Sequence, residues 1–213
     1  MLGLVTAEAL AKTQPLRGIK MKEEFKIYAP IFISLSLKLK IALLCIFVAS
    51  ILVISINYIT SHINLLQLFS LYFSLTFMFI LAVIDTKLYI IPNSILLIWL
   101  ITRVIFIAAE SFYMRSYYPL ITSLIGACII FFMFLAIYYL TKRSLGGGDV
   151  KLSFILGLSV SNNIFTVVFY ALILSALFSI IALLTKKLSK KDAVPLGPFL
   201  FLGTVLAYLA QIL

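Results

Sequence analysis

Long apolar runs separated by short polar segments dominate the sequence. Seven runs stand out, at about residues 41–59, 65–84, 94–109, 118–140, 150–160, 165–184 and 195–213. A membrane-spanning helix needs roughly 20 predominantly apolar residues to cross a hydrocarbon core of about 30 Å. The pattern therefore predicts an all-α fold, a polytopic membrane helix bundle with about seven spans.

The fifth run is shorter than the others. A helix starting at Asp149 and ending near Val160 would cover only about 18 Å. Irregular backbone at membrane depth is tolerated only where protein or water satisfies its polar groups. Two interpretations remain open: a re-entrant helix, or a helix whose first residue is recessed below a wet cavity lined by the preceding glycines.

Composition agrees with a membrane protein, because 64% of the residues are hydrophobic, 11% are charged and the mean hydropathy is +1.21. The net charge of +10 would suggest a nucleic-acid partner in a soluble protein. Among the 17 Lys and Arg residues, however, all but Arg103 and Arg115 fall on one side of the predicted topology. This asymmetry follows the positive-inside rule. It predicts a cytoplasmic N-terminus, a cytoplasmic tail at residues 1–40, the lipid bilayer as partner and no nucleic acid.

Few other residues indicate chemistry. Arg103 lies inside the third run and needs a partner, for which a structural ion pair or a headgroup contact is favoured over catalysis. His62 is expected to be a solvated turn residue. Cys45 and Cys128 lie in apolar runs without a Cys-x-x-Cys motif, so both are expected to be small core residues.

Three consecutive glycines precede an acid between the fourth and fifth runs, in the segment Ser144-Leu145-Gly146-Gly147-Gly148-Asp149-Val150-Lys151. Glycine lowers helix propensity by about 1 kcal/mol per residue and removes side chains that would keep another backbone away. The segment suggests that something approaches Asp149 closely. The alternative is a cytoplasmic turn whose acid caps the next helix.

The topology brings Asp85 to the same side as Asp149, with the first closing a helix and the second opening one. Two neighbouring carboxylates cannot both ionise cheaply, so such a pair holds a proton between them. This is the arrangement of aspartic proteolysis. Since a helix N-terminus favours negative charge and a C-terminus disfavours it, Asp149 is expected to be the ionised base and Asp85 the protonated acid.

Three motifs occur in order and at a consistent topology: Asp85 with Lys87 and Ile91-Pro92-Asn93, then Gly146 to Lys151, then Pro195-Leu196-Gly197-Pro198-Phe199-Leu200. Together they resemble the signatures of the prepilin leader peptidases, which are membrane aspartic proteases of the Gly-x-Gly-Asp type. The resemblance implies a six-helix peptidase core at residues 65–213, with residues 41–64 as an additional span.

The resemblance also implies the roles of individual residues. Asp85 and Asp149 would be the catalytic pair, and substrate would be bound by Gly146, Gly147, Gly148, Lys87 and Lys151. No metal or cofactor is implied. The implied substrate is a prepilin or pseudopilin, whose basic leader stays in the cytoplasm while the following apolar helix lies in the inner (cytoplasmic) membrane.

The paired Cys-x-x-Cys motifs of the long members of that family, associated with amino-methylation of the new pilin terminus, do not occur in this sequence. Peptidase activity is therefore implied, whereas methyltransferase activity is in doubt. Two other functions remain open. The acids could form a non-enzymatic proton or ion pathway, or the chain could be a catalytically silent component of a pilus or secretion assembly.

Overall fold

The structure is a computed structural model that describes residues 37–61, 64–141, 145–185 and 194–212. Several sequence predictions concern residues outside these ranges. These predictions concern the tail before residue 37, the turn at His62, Ser144 and the basic residues Lys142, Arg143, Lys186, Lys187, Lys190 and Lys191.

Each of the seven predicted runs contains a helix. These are α1 (Leu37–Ser61), α2 (Leu65–Leu88), α3 (Asn93–Tyr113), α4 (Tyr118–Leu140), α5 (Gly147–Val160), α6 (Ile164–Leu184) and α7 (Gly197–Leu209). A single 3₁₀ turn, Ser161–Asn163, joins α5 to α6. All secondary structure in the described ranges is helical, which confirms the predicted all-α bundle.

Five of the helices, α1, α2, α3, α4 and α6, are long and apolar enough to cross a membrane. The apolar helix α7 is shorter, with 13 residues. Helix α5 has 14 residues and is not among the candidate spans. At 1.5 Å per residue it covers about 21 Å, less than the roughly 30 Å of a hydrocarbon core. The chain is thus a polytopic helical membrane protein in which the fifth helix is short, as its sequence predicts.

Helix α2 contacts α1, α3, α5 and α7 and so occupies the centre of the bundle. Close backbone contacts fix the two short helices against their long neighbours. A side chain at Gly157 of α5 would place its Cβ 2.5 Å from Cα of Ala127 in α4, and one at Gly203 of α7 would come within 2.6 Å of the Val167 carbonyl of α6. Small residues permit this approach between membrane helices.

Arg103 has the structural partner that its position requires. Its guanidinium forms a buried ion pair with Glu110, with 2.8 Å between Nη1 and Oε1. It also donates to the Leu158 carbonyl of α5 at 2.9 Å and to the hydroxyls of Ser70 and Ser123. A cation near a helix C-terminus is favourable. Arg103 therefore ties the last turns of α5 to α2, α3 and α4.

Large apolar side chains cover the outside of the bundle, among them Leu44, Ile105 and Phe132. Cys45 and Cys128 are also exposed on this surface, so the prediction that they are core residues is wrong. In a membrane protein an apolar run is apolar around its whole circumference. For that reason its composition does not tell which residues face neighbouring helices and which face lipid.

A candidate active site of two carboxyl groups

Asp85 lies in the last turn of α2 and is only 5% exposed. One of its carboxyl oxygens, Oδ2, accepts a hydrogen bond of 2.8 Å from the backbone N–H of Gly197. A Cβ at residue 197 would lie 2.9 Å from that oxygen, a distance that real Cβ atoms essentially never show. Only glycine therefore lets the start of α7 come this close to the acid.

The contact with Gly197 changes the electrostatic setting expected for Asp85. Its position near the C-terminus of α2 is unfavourable for negative charge, but the N-terminus of α7, with free backbone amides, points at the same carboxyl group. The expectation that the end of α2 keeps Asp85 protonated considered only one of these two helices. The contact joins residues 112 positions apart in the sequence, so the sequence around Asp85 alone does not predict it.

Asp149 is the third residue of α5, and its backbone N–H donates to the Gly146 carbonyl at 3.1 Å. Its side chain turns back over the helix start, because a Cβ at Gly146 would lie 2.9 Å from Oδ2 of Asp149. Burial, followed by the charge of Asp85, raises the pKa of Asp149 to about 7, and a backbone hydrogen bond from Gly146 opposes both effects. The N-terminus of α5 thus does not hold this pKa low, contrary to the sequence-based expectation.

A short turn brings the two acids together. After α2, Tyr89 adopts a left-handed φ of 55° and its N–H donates to the Asp85 carbonyl at 2.9 Å. The chain then packs against the start of α5, where a Cβ at Gly148 would lie 3.0 Å from Cβ of Ile91. The effect of Asp85 on the pKa of Asp149 means that the two carboxyl groups interact electrostatically. The structure therefore brings the two predicted catalytic acids into one site.

The three glycines have different surroundings. Gly146 adjoins the Asp149 carboxyl group, Gly148 packs on Ile91, and a Cβ at Gly147 would meet no atom of the described residues within 4 Å. Close packing against Ile91 thus explains why residue 148 is a glycine. At Gly147, in contrast, the described residues leave room for another chain to approach the start of α5. The two predicted lysines also differ in position: Lys87 is exposed in the last turn of α2, and Nζ of Lys151 donates to Oδ1 of Asn93 at 2.9 Å.

Sequence reasoning missed two residues with clear roles. Gly197 lies in the third motif, where a glycine followed by a proline at a helix start was the available signal. Glu110 follows the predicted third run, at about residues 94–109, but it is a buried residue of α3. Its spacing of seven residues from Arg103 places both on one helix face, which was the signal for the ion pair.

Fold and site together define a polytopic helical membrane protein with two interacting carboxyl groups at one end of the bundle. The chain belongs to the type IV leader peptidase family, whose model matches residues 72–183. This range contains Asp85 and Asp149 and ends before Gly197. Family membership, predicted from the three motifs, is confirmed.

A curated relative is similar over a larger part of the chain. The prepilin leader peptidase/N-methyltransferase of Bacillus subtilis (strain 168) is 33% identical over 150 residues, which cover 68% of this chain and 56% of the relative. The chain thus matches little more than half of that protein's length. No solved structure matches the chain.

Proposed function

We propose that the protein is an aspartic endopeptidase that removes the basic leader of prepilins or pseudopilins. The observation that carries this proposal is the packing that brings Asp85 and Asp149 together: Ile91, six residues after Asp85, lies against Gly148, the residue before Asp149. The charge of Asp85 also raises the pKa of Asp149. Membership of the type IV leader peptidase family and the printed name of the Bacillus subtilis relative support it.

We assign the two acids complementary roles. We assign Asp85 as the general base, because the charge of Asp85 is one of the causes that raise the pKa of Asp149 and so keep a proton on Asp149. Asp149, with its pKa raised to about 7, is the proton donor. This order is the reverse of the one that the helix ends alone predicted. A pKa of about 7 for Asp149 suits a general acid near neutral pH.

The reaction then has two stages. Asp85 takes a proton from water as the water oxygen bonds to the peptide carbonyl carbon, while Asp149 gives its proton to the carbonyl oxygen. The first stage gives a tetrahedral carbon that carries two hydroxyl groups and the amine nitrogen. In the second stage the carbon–nitrogen bond breaks and the leaving amine takes the proton from Asp85. One of the two hydroxyl groups returns its proton to Asp149 and becomes the new carbonyl oxygen. No net proton is gained or lost by the pair.

The same proposal places the protein in the inner membrane with its N-terminus in the cytoplasm. The distribution of Lys and Arg supports this orientation, in which both acids lie at the cytoplasmic boundary. Residues 65–213 form the proposed peptidase core, and α1 is an additional span. A family match that begins at residue 72, after α1, supports this division.

The test is to incubate the purified protein in detergent with a prepilin and a pseudopilin and to follow leader removal by mass spectrometry. Cleavage between the basic leader and the apolar segment is the expected result. Intact substrates would instead favour a proton or ion pathway or a silent assembly component.

A further inference from the structure

An apolar groove opens on the side of the bundle formed by α3, α4 and α5. Its volume is about 370 Å³. The walls are Leu96, Leu97, Leu100, Phe131, Phe154 and Ile155. Asn93 and Lys151, which are joined by a hydrogen bond of 2.9 Å, form its polar end. The groove therefore has one polar end, at the level where α3 and α5 begin, and an apolar remainder.

One face of α5 leads from the site to the groove. Gly147 lies one turn before Lys151, and Lys151 lies one turn before Phe154 and Ile155, so these residues share a face. The Asp149 carboxyl group turns back toward Gly146, the residue next to Gly147. A peptide that crosses the backbone at Gly147 can therefore follow this face of α5 from the site to the groove.

Charge determines which part of the substrate can take this path. Lys87 and Lys151 are exposed cations at this end of the bundle. A basic leader is repelled by Lys151, whereas the apolar segment that follows the scissile bond carries no such penalty. An apolar segment also gains free energy by covering the groove walls.

We infer that the groove between α3, α4 and α5 binds the apolar segment of the substrate on the C-terminal side of the cleaved bond. This inference rests on the proposed function, since it assigns a substrate segment to the same site. Lys151 and Asn93 form the entrance, and Gly147 is the point where the substrate backbone passes from the carboxyl pair into the groove.

A second apolar hollow offers a matched control. It lies between α1, α2 and α7, has a volume of about 110 Å³ and includes Leu43, Phe79 and Leu202 in its lining. Leu97 in the groove and Leu202 in the hollow are both exposed leucines, at 47% and 37%. Replacing Leu97 by Trp fills part of the groove, and replacing Leu202 by Trp fills part of the hollow, so the two variants carry the same substitution at different places.

Binding can be measured separately from cleavage. A prepilin with a photoreactive benzophenone residue in its apolar segment is incubated with the Asp149→Asn protein in detergent, irradiated, and the cross-linked positions are mapped. We expect cross-links to α3, α4 and α5. Leu97→Trp in this background should lower the yield about tenfold, as expected for the loss of one well-packed apolar contact, whereas Leu202→Trp should not.

Cross-links to helices outside the groove, or a yield that Leu97→Trp leaves unchanged, would overturn the inference. In the protein with both acids intact, Leu97→Trp should raise KM for the prepilin without changing kcat. If the native protein cleaves the prepilin but cross-links lie elsewhere, the groove assignment fails and the proposed function stands. If cross-links lie in the groove but no cleavage occurs, the proposed function fails and the binding site stands.

Discussion

The backbone N–H of Gly197 donates a 2.8 Å hydrogen bond to Oδ2 of Asp85, joining the start of α7 to the end of α2. This contact gives the third sequence motif a physical role. It supplies a donor to a buried acid and requires a residue without a side chain. The carboxyl pair is therefore built from three helix ends, those of α2, α5 and α7.

Gly197→Ala should lower kcat by about 10- to 100-fold. The added Cβ would displace the Asp85 carboxyl group and break a hydrogen bond to a charged group, a contact worth about 1.5–3 kcal/mol. Steady-state cleavage of a prepilin measures the loss. Gly147→Ala is the control for kcat alone, because a Cβ there meets no atom of the described residues within 4 Å and so does not disturb the described part of the carboxyl pair. Equal rates for the Gly197→Ala variant and the native protein would remove the contact from the mechanism.

Leucine substitutions should separate the roles of two adjacent glycines. Gly147→Leu is expected to raise KM while thermal stability stays unchanged, because the side chain extends into the open approach to α5. Gly148→Leu is expected to lower the unfolding temperature, because its side chain meets Ile91. Thermal unfolding in detergent and cleavage kinetics distinguish the two effects. A stable Gly148→Leu protein with a raised KM would instead assign substrate contact to Gly148.

The proton held by Asp149 predicts a pH dependence with a definite sign. Its pKa is raised from 3.8 to about 7, so the protonated form required for proton donation is present below about pH 7 and is lost above it. The rate should therefore fall about tenfold per pH unit at higher pH. A rate that rises through this range would make Asp149 the base, as the helix ends alone suggested.

The same raised pKa affects stability. A carboxyl group with a higher pKa in the folded state loses its stabilising contribution as pH rises from about 3.8 toward about 7. The Asp149→Asn protein, which cannot ionise there, should unfold at a higher temperature than the native protein at pH 8. At pH 4 the two unfolding temperatures should nearly agree. A constant difference at both pH values would contradict the pKa assignment.

Much of the fold follows from the sequence because helix length and apolar composition are local properties. The seven helices and the short length of α5 could be predicted, and so could the positions of Asp85 and Asp149 at helix ends. The contact of Gly197 with Asp85 could not, since it depends on how α7 packs against α2. The packing of Gly148 on Ile91 and the exposure of Cys45 and Cys128 likewise depend on which helix faces meet.

Breaking the ion pair far from the acids should cost stability. Glu110→Gln leaves the Arg103 guanidinium buried without its counter-charge, which typically costs about 3–5 kcal/mol. Unfolding in detergent measures the loss. The double variant Arg103→Met with Glu110→Met is the control, and it should be more stable than Glu110→Gln because no unpaired charge remains. A Glu110→Gln protein of native stability would show that the hydroxyls around Arg103 suffice.

The carboxyl pair is tested most directly by measuring leader removal with Asp85→Asn and Asp149→Asn. Each substitution keeps the side-chain shape and removes the ability to transfer a proton. We expect the native protein to release the leader, and each variant to purify normally but to lose at least about 10³-fold in kcat/KM. Native-level cleavage by either variant would contradict the assignment of the two carboxyl groups as the catalytic pair.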